Sequence, residues 1–146
     1  MTCAFNCRTR EGSSRYDLAL VDVYDADGFS RACHHGSFYQ ALWRRMEPQG
    51  LLIANLAGSA SERREHLDLI VAAFGESCRV VRVDDGANHV AFAYRDPRQE
   101  PRWKWMTAQA PALQRHFGLD YPAMVRELQR AESTGWENAF PAEAWR

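Results

Sequence analysis

Leu18-Ala19-Leu20-Val21-Asp22-Val23-Tyr24-Asp25-Ala26-Asp27-Gly28 is the stretch on which the reading of this chain turns. A short apolar run breaks into three carboxylates within six residues and closes on a glycine. Helices generally need ten or more residues, so a run this short, bounded by turn residues, predicts a buried strand. Apolar side chains at successive positions predict cover on both faces, the habit of parallel sheets in α/β proteins. Ligands of such sheets bind just beyond the carboxyl ends of the strands. The acid cluster is therefore expected where an α/β protein does its work.

Outward from that strand the pattern alternates. On the amino side, residues 2–7 have the look of a short strand, Gly12-Ser13-Ser14 reads as a loop, and Tyr16 opens the first clear strand. On the carboxyl side, Phe29 to Gly36 is too polar and short for a core element and reads as a loop over the ligand end. Ser37 is the expected N-cap of a helix whose Phe38, Tyr39, Leu42, Trp43 and Met46 share one face. Arg44 and Arg45 suit the negative end of its dipole, and Glu47-Pro48-Gln49-Gly50 should stop it.

Leu51 to Ala57 follows as a second apolar strand, interrupted only by Asn55. Gly58 should turn the chain, Ser59 and Glu62 have the spacing of a capping box, and Leu67, Ile70, Val71 and Phe74 form the next buried stripe. Gly75 is the expected left-handed stop. Cys78 to Val83 and His89 to Tyr94 are two further strands, joined so closely through Asp84-Asp85-Gly86 that they must run antiparallel. Strand, helix, strand, helix and hairpin make half of a doubly wound α/β sheet.

The tail differs in kind. Pro97, Pro101 and Pro111 mix linker signals with Trp103 and Trp105, and residues 112–117 look helical up to Gly118. Asp120 should cap a last helix with Pro122 in its first turn and Tyr121, Val125 and Leu128 on one face. Four of the five tryptophans lie at or beyond position 103, either pinning the tail across the sheet's helices or marking a subunit interface. The expected organisation is an irregular lead over 1–15, a half-domain over 16–96 and a helical, Trp-rich tail over 97–146.

Composition narrows the function classes. The 146 residues include 46% hydrophobic and 25% charged side chains, the balance of an ordinary globular domain. With 18 Lys and Arg against 19 Asp and Glu, the net charge of -1 offers no general attraction to nucleic acid or an anionic membrane. No apolar run approaches a membrane span, and the first residues lack a signal peptide's apolar core, so a cytoplasmic location is expected. Cysteines 3, 7, 33 and 78 form no Cys-x-x-Cys pair and are expected as free thiols. Cys33-His34-His35 invites a metal reading, but no second cluster completes a four-ligand shell, and no metal is expected.

Two carboxylates at a strand end can bind an amine by charge-assisted hydrogen bonds, or take its proton as it becomes a nucleophile. Asp22 belongs to the strand and is the better-held group; Asp25 and Asp27 follow on the loop. The competing reading of Asp25-Ala26-Asp27-Gly28 is a plain turn, in which Asp and Gly are common for backbone reasons.

The runs YDLALVDVYDADG and SFYQALWRRMEPQGLLIANLA, residues 16–28 and 37–57, resemble the polyamine aminopropyltransferases, the spermidine synthase family and its spermidine synthase-like relatives. Asp22-Val23-Tyr24-Asp25 is similar to that family's Asp-x-x-Asp signature, Phe38-Tyr39 to the start of its next helix, and Gly50 to Asn55 to the following strand. The resemblance covers about residues 16 to 95. It implies part of a class I methyltransferase-like, Rossmann-type fold and a transferase of polyamine biosynthesis. Asp22 would then hold and deprotonate the attacking amine, Asp25 would anchor the ammonium, and Tyr24 and Asn55 would be further substrate contacts. Residues 26–35 would gate the site. The co-substrate would be decarboxylated S-adenosylmethionine, or S-adenosylmethionine in another transferase of the same fold, with no tightly bound cofactor.

Departures from the family pattern shape what to expect. Asp25-Ala26-Asp27-Gly28-Phe29 replaces the usual Asp-Pro-x-Gly-Pro, and Asp85-Gly86 stands where a Tyr-Pro pair is usual. Fifteen residues before Tyr16 cannot hold the family's glycine-rich first turn, so this chain is expected to transfer poorly or not at all by itself. A non-catalytic, dimerising or partner-binding module is the alternative. In that strand order the edge of residues 17–23 is left open, and residues 2–7, the tail or a second copy of the chain should cover it.

Overall fold

A computed structural model describes residues 15–22, 24–25, 28–29, 33–83 and 88–134. In chain order the elements are β1 (Tyr16–Val21), β2 (Tyr24–Asp25), β3 (Gly28–Phe29), α1 (Gly36–Arg45), β4 (Met46–Leu56) and α2 (Ala60–Phe74). A 3-10 turn (Gly75–Ser77), β5 (Cys78–Arg82), β6 (His89–Tyr94), α3 (Trp103–Phe117) and α4 (Tyr121–Thr134) complete them. The class is α/β, as the alternation of patterns predicts.

One mixed sheet of four strands has the order β1-β4-β6-β5, and β2 pairs with β3 apart from it. β1 runs parallel to β4, with Val21 beside Ala54. β6 runs antiparallel to both β4 and β5, as its short connection requires, and lies between them. β4 is thus flanked on both sides, and its Leu52, Ala54 and Leu56 are wholly buried. They meet Tyr39 of α1, Leu67, Ile70 and Phe74 of α2, and Ala91 and Ala93 of β6 in one core. Burying each such leucine contributes roughly 1.5–3 kcal/mol relative to leaving it in water.

The second helix is built as its sequence announces. Ser59 accepts the Glu62 backbone N–H, and the Glu62 carboxylate accepts the Ser59 N–H at 2.7 Å, closing the capping box. Gly58 reaches φ 94° to set up that turn. Gly75 ends α2 at φ 76° as expected, though its ψ of -161° lies outside the left-handed helical well, and its N–H donates to the Val71 carbonyl.

Several expectations are corrected. Among the described residues β1 is covered on one face only: Tyr16, Leu18 and Leu20 are 43%, 50% and 64% exposed, while Val21 is buried. It lies at the end of the strand order, and its inward residues share the core of α1 and α2. Ser37 does not cap α1. The helix begins at Gly36 with His35 as N-cap and no capping side chain, because the first turn closes by the Phe38 N–H donating to the His35 carbonyl. Met46 is buried but opens β4 instead of ending the helix. The helix does end just before Glu47 to Gly50, at Arg45, but these residues are not a loop: they lie in β4, where its register with β1 shifts between Tyr16–Met46 and Leu18–Leu51. A side chain at Gly50 would meet the Glu47 carbonyl and Met46 Cβ at 2.9 Å, so only glycine fits there.

The tail is more helical than its prolines suggest. α3 runs unbroken from Trp103 through Pro111 to the left-handed cap at Gly118, not merely over 112–117. Asp120 caps α4 as predicted, its carboxylate accepting the Ala123 N–H at 3.0 Å. Val125 is buried and Tyr121 and Leu128 half-buried on the predicted face. Pinning by tryptophan is partial, since Trp103 is half-buried whereas Trp105 is 55% exposed beneath the Arg102 guanidinium. α3 packs on α4, and α4 packs on β5, the edge opposite β1. The segments at 2–7, 26–27, 30–32 and 84–86, together with Trp136 and Trp145, lie outside the described residues. No helix among the described residues is long and apolar enough to cross a membrane.

Candidate functional site

Parallel pairing of β1 with β4 brings two of the expected site residues together. Val21 aligns with Ala54, so the next residues in each strand, Asp22 and Asn55, meet at the carboxyl end of the sheet. Asn55 Nδ2 donates to Asp22 Oδ1 at 3.0 Å. Side chains alternate across a strand. Ala54 and Leu56 point into the helix-covered core, so Asn55 lies on the opposite, open face; Asp22 follows the exposed Leu18 and Leu20 onto that same face. The amide fixes one carboxylate oxygen and leaves the second available to an amine.

Asp25 and Tyr24 are described by their backbone alone, in a sheet separate from the one that carries Asn55. β2 and β3 pair antiparallel, Tyr24 with Phe29 and Asp25 with Gly28, in a small ribbon that follows directly on the strand bearing Asp22. Asp27 lies outside the described residues.

Behind the sheet is a polar pair that sequence reasoning missed. The Tyr39 hydroxyl and His66 Nε2 are hydrogen-bonded between α1 and α2, with Tyr39 wholly buried and His66 2% exposed. Burial, with a smaller contribution from His34, pushes the imidazole down to about 3 and keeps it neutral. The signal was present: His66, Ile70 and Phe74 share an i, i+4 ridge, which places the imidazole on the buried face. His89 of β6 is buried beside Leu56 and is likewise pushed down, to about 4, by burial and then by Arg63 and Arg82. His34 faces Glu65 at 3.8 Å on the surface.

The two described cysteines offer no reactive group. Cys33 and Cys78 are free and buried, and burial raises both thiols, Cys78 to about 12. Among the described residues no three metal-binding side chains cluster. A groove of about 180 Å³ between α3 and α4, lined by Thr107, Ala110, Pro122, Val125, Arg126 and Gln129, has no carboxylate, and none of its lining side chains could serve as a base for the Thr107 hydroxyl. The Asp22–Asn55 pair is therefore the candidate site. No family model, curated protein or solved structure matches the chain.

Proposed function

We propose that this chain is a spermidine synthase-like protein in which Asp22 receives the amine acceptor of an aminopropyl transfer. The observation that carries the reading is the Asp22 carboxylate at the end of β1, oriented by Asn55 from the parallel neighbour β4. In the reaction, the acceptor amine's lone pair attacks the propyl carbon bonded to the sulfonium of decarboxylated S-adenosylmethionine. The carbon–sulfur bond breaks, methylthioadenosine leaves with the electron pair, and the amine's proton passes to Asp22. A carboxylate suits both roles, since it attracts the cationic amine and then serves as its base. Asp25, three residues further along in β2, is assigned to a second ammonium of a polyamine. Sheet order supports the reading as well, since parallel β1 and β4 closed by the antiparallel β6 fit a partial Rossmann-like domain.

A second reading has its own observation. Leu18 and Leu20 present an exposed apolar face on an edge strand, which suits a non-catalytic module that binds a partner. Calorimetry of the full chain with methylthioadenosine, decarboxylated S-adenosylmethionine and S-adenosylmethionine separates the two. Binding of the first two, and putrescine-dependent transfer that Asp22→Asn abolishes, supports the transferase. Absence of binding by all three leaves the partner-binding module, and binding of S-adenosylmethionine alone indicates a methyltransferase-like activity.

A further inference from the structure

The Met46 carbonyl, where α1 gives way to β4, accepts hydrogen bonds from two guanidiniums. Arg15, the residue before β1, reaches it through Nη1 at 3.3 Å, and Arg95, the residue after β6, donates to the same oxygen through its own Nη1. The two Nη1 atoms therefore lie within about 6 Å of each other. Arg95 is pinned by further contacts. Its backbone N–H donates to the Gly50 carbonyl at 2.9 Å, and its carbonyl accepts the Trp43 indole N–H at 3.3 Å. Its guanidinium lies over the Trp43 ring, 4.7 Å from the centroid. Arg44 and Arg45, both exposed, occupy the last turn of α1 just before Met46.

Helix capping accounts for part of this cluster. The last carbonyls of a helix need donors, and its dipole favours cations there. One N–H of one guanidinium would meet the need of Met46, yet two guanidiniums with five N–H donors each converge on it. Like charges so close repel, and carboxylates do not offset the repulsion. Among the described residues none forms an ion pair with Arg15, Arg44, Arg45 or Arg95. Asp96, next to Arg95, is taken by Arg98 at 3.0 Å.

Asp17 and Glu47 are the other carboxylates close by in sequence, so the four arginines leave an excess of two positive charges. A dianion matches that excess, and guanidinium forks suit the oxygens of phosphate. The net charge of -1 on the whole chain gives no long-range pull on a polyanion, which favours a compact ligand.

We propose that Arg15 and Arg95 form a binding site for a phosphate dianion, free or as the monoester of a small molecule. Its oxygens bridge the two guanidiniums, and Arg44 and Arg45 add positive potential. The site stands at the amino end of β1 and β4, away from the Asp22 end, and is independent of the reaction proposed above.

The test titrates the full-length chain at pH 7.5 with inorganic phosphate and with phenyl phosphate in a chloride-poor buffer, followed by NMR. The Arg15 and Arg95 Nε–H signals and the Trp43 indole N–H should shift and saturate below about 10 mM. Dimethyl phosphate, a monoanion of similar shape, should bind at least about tenfold more weakly. Arg15→Gln should weaken phosphate binding about tenfold, and so should Arg95→Lys, which keeps the charge but loses the fork. Arg15 lies outside every helix and strand, so its variant decides the matter if Arg95→Lys fails to fold. Tighter binding of inorganic phosphate would mark the free ion as the ligand, and tighter binding of phenyl phosphate a monoester. Shifts that never saturate, equal affinity for dimethyl phosphate, or binding indifferent to Arg15→Gln would overturn the site. A single-stranded oligonucleotide bound more tightly than either phosphate would overturn the choice of a compact ligand.

Discussion

The Asn55 side-chain amide holds the Asp22 carboxylate at 3.0 Å, joining two strand ends that are 33 residues apart in sequence. The contact exists because β1 and β4 are parallel neighbours in a register that sets Val21 beside Ala54. Asn55→Ala should free the carboxylate to rotate without removing it. A hydrogen bond to a charged group is worth about 1.5–3 kcal/mol, so acceptor affinity should fall roughly ten- to a hundredfold. Asp22→Asn should remove the base and with it the transfer. Equal putrescine affinity in wild type and Asn55→Ala, measured calorimetrically, would dissociate the amide from amine binding.

Acid should destabilise the fold through His66 and His89. Both are depressed in the folded state, to about 3 and about 4, whereas an unfolded histidine titrates near 6.5. Below that value the unfolded chain binds protons that the folded chain refuses, so stability is full above about pH 6.5 and declines toward pH 3–4. The loss should amount to a few kcal/mol, with His66 contributing most. Urea midpoints recorded from pH 7.5 to 4.5 should hold to about pH 6.5 and fall below it; a profile flat throughout would mean that both imidazoles protonate within the fold.

Tyr39→Phe keeps the ring in the α1–α2 core but removes the hydroxyl that meets His66. Leaving a buried ring nitrogen without that partner should cost about 1–3 kcal/mol. The double change Tyr39→Phe with His66→Leu should recover part of the loss, because both polar groups are then gone. A destabilisation by the double variant larger than by either single one would contradict this account.

Ser59→Ala breaks the capping box at the start of α2, where the side chain of Ser59 accepts the Glu62 N–H. The expected loss is about 1 kcal/mol, read as a lower thermal midpoint. Glu62 is held below the usual carboxylate range first by its hydrogen bond from the Ser59 hydroxyl, so its titration, followed by NMR, should move upward in Ser59→Ala.

Pro111 lies within α3 and lacks the N–H that would donate to the Thr107 carbonyl. Pro111→Ala should raise helicity and stabilise the tail by about 1–3 kcal/mol, somewhat less than the full interior penalty because proline also restrains the unfolded chain. Circular dichroism and thermal melts would check it, and a loss of helicity would show that the ring makes a packing contact worth more than the missing bond.

Local grammar is readable from the residues themselves. The Ser59–Glu62 box, the Asp120 cap, the positive φ at Gly58 and Gly75, and the antiparallel β5–β6 pair all follow from residues a few positions apart. Their causes are short-range, so the sequence contains them whole. Pro111 misled for the same reason: a local rule against proline says nothing of the continuous helix that α4 supports.

What tertiary structure alone decided is which surfaces face each other. An apolar run reads the same on an edge strand as in the centre of a sheet, so exposure of Leu18 and Leu20 depended on where β1 falls in the strand order. The Asp22–Asn55 contact required a parallel register, and the Tyr39–His66 bond required two helices to lie side by side. Sequence set the chemistry of each group through its own atoms and immediate neighbours. Proximity between groups tens of residues apart is a property of the folded chain, because only packing brings them within reach.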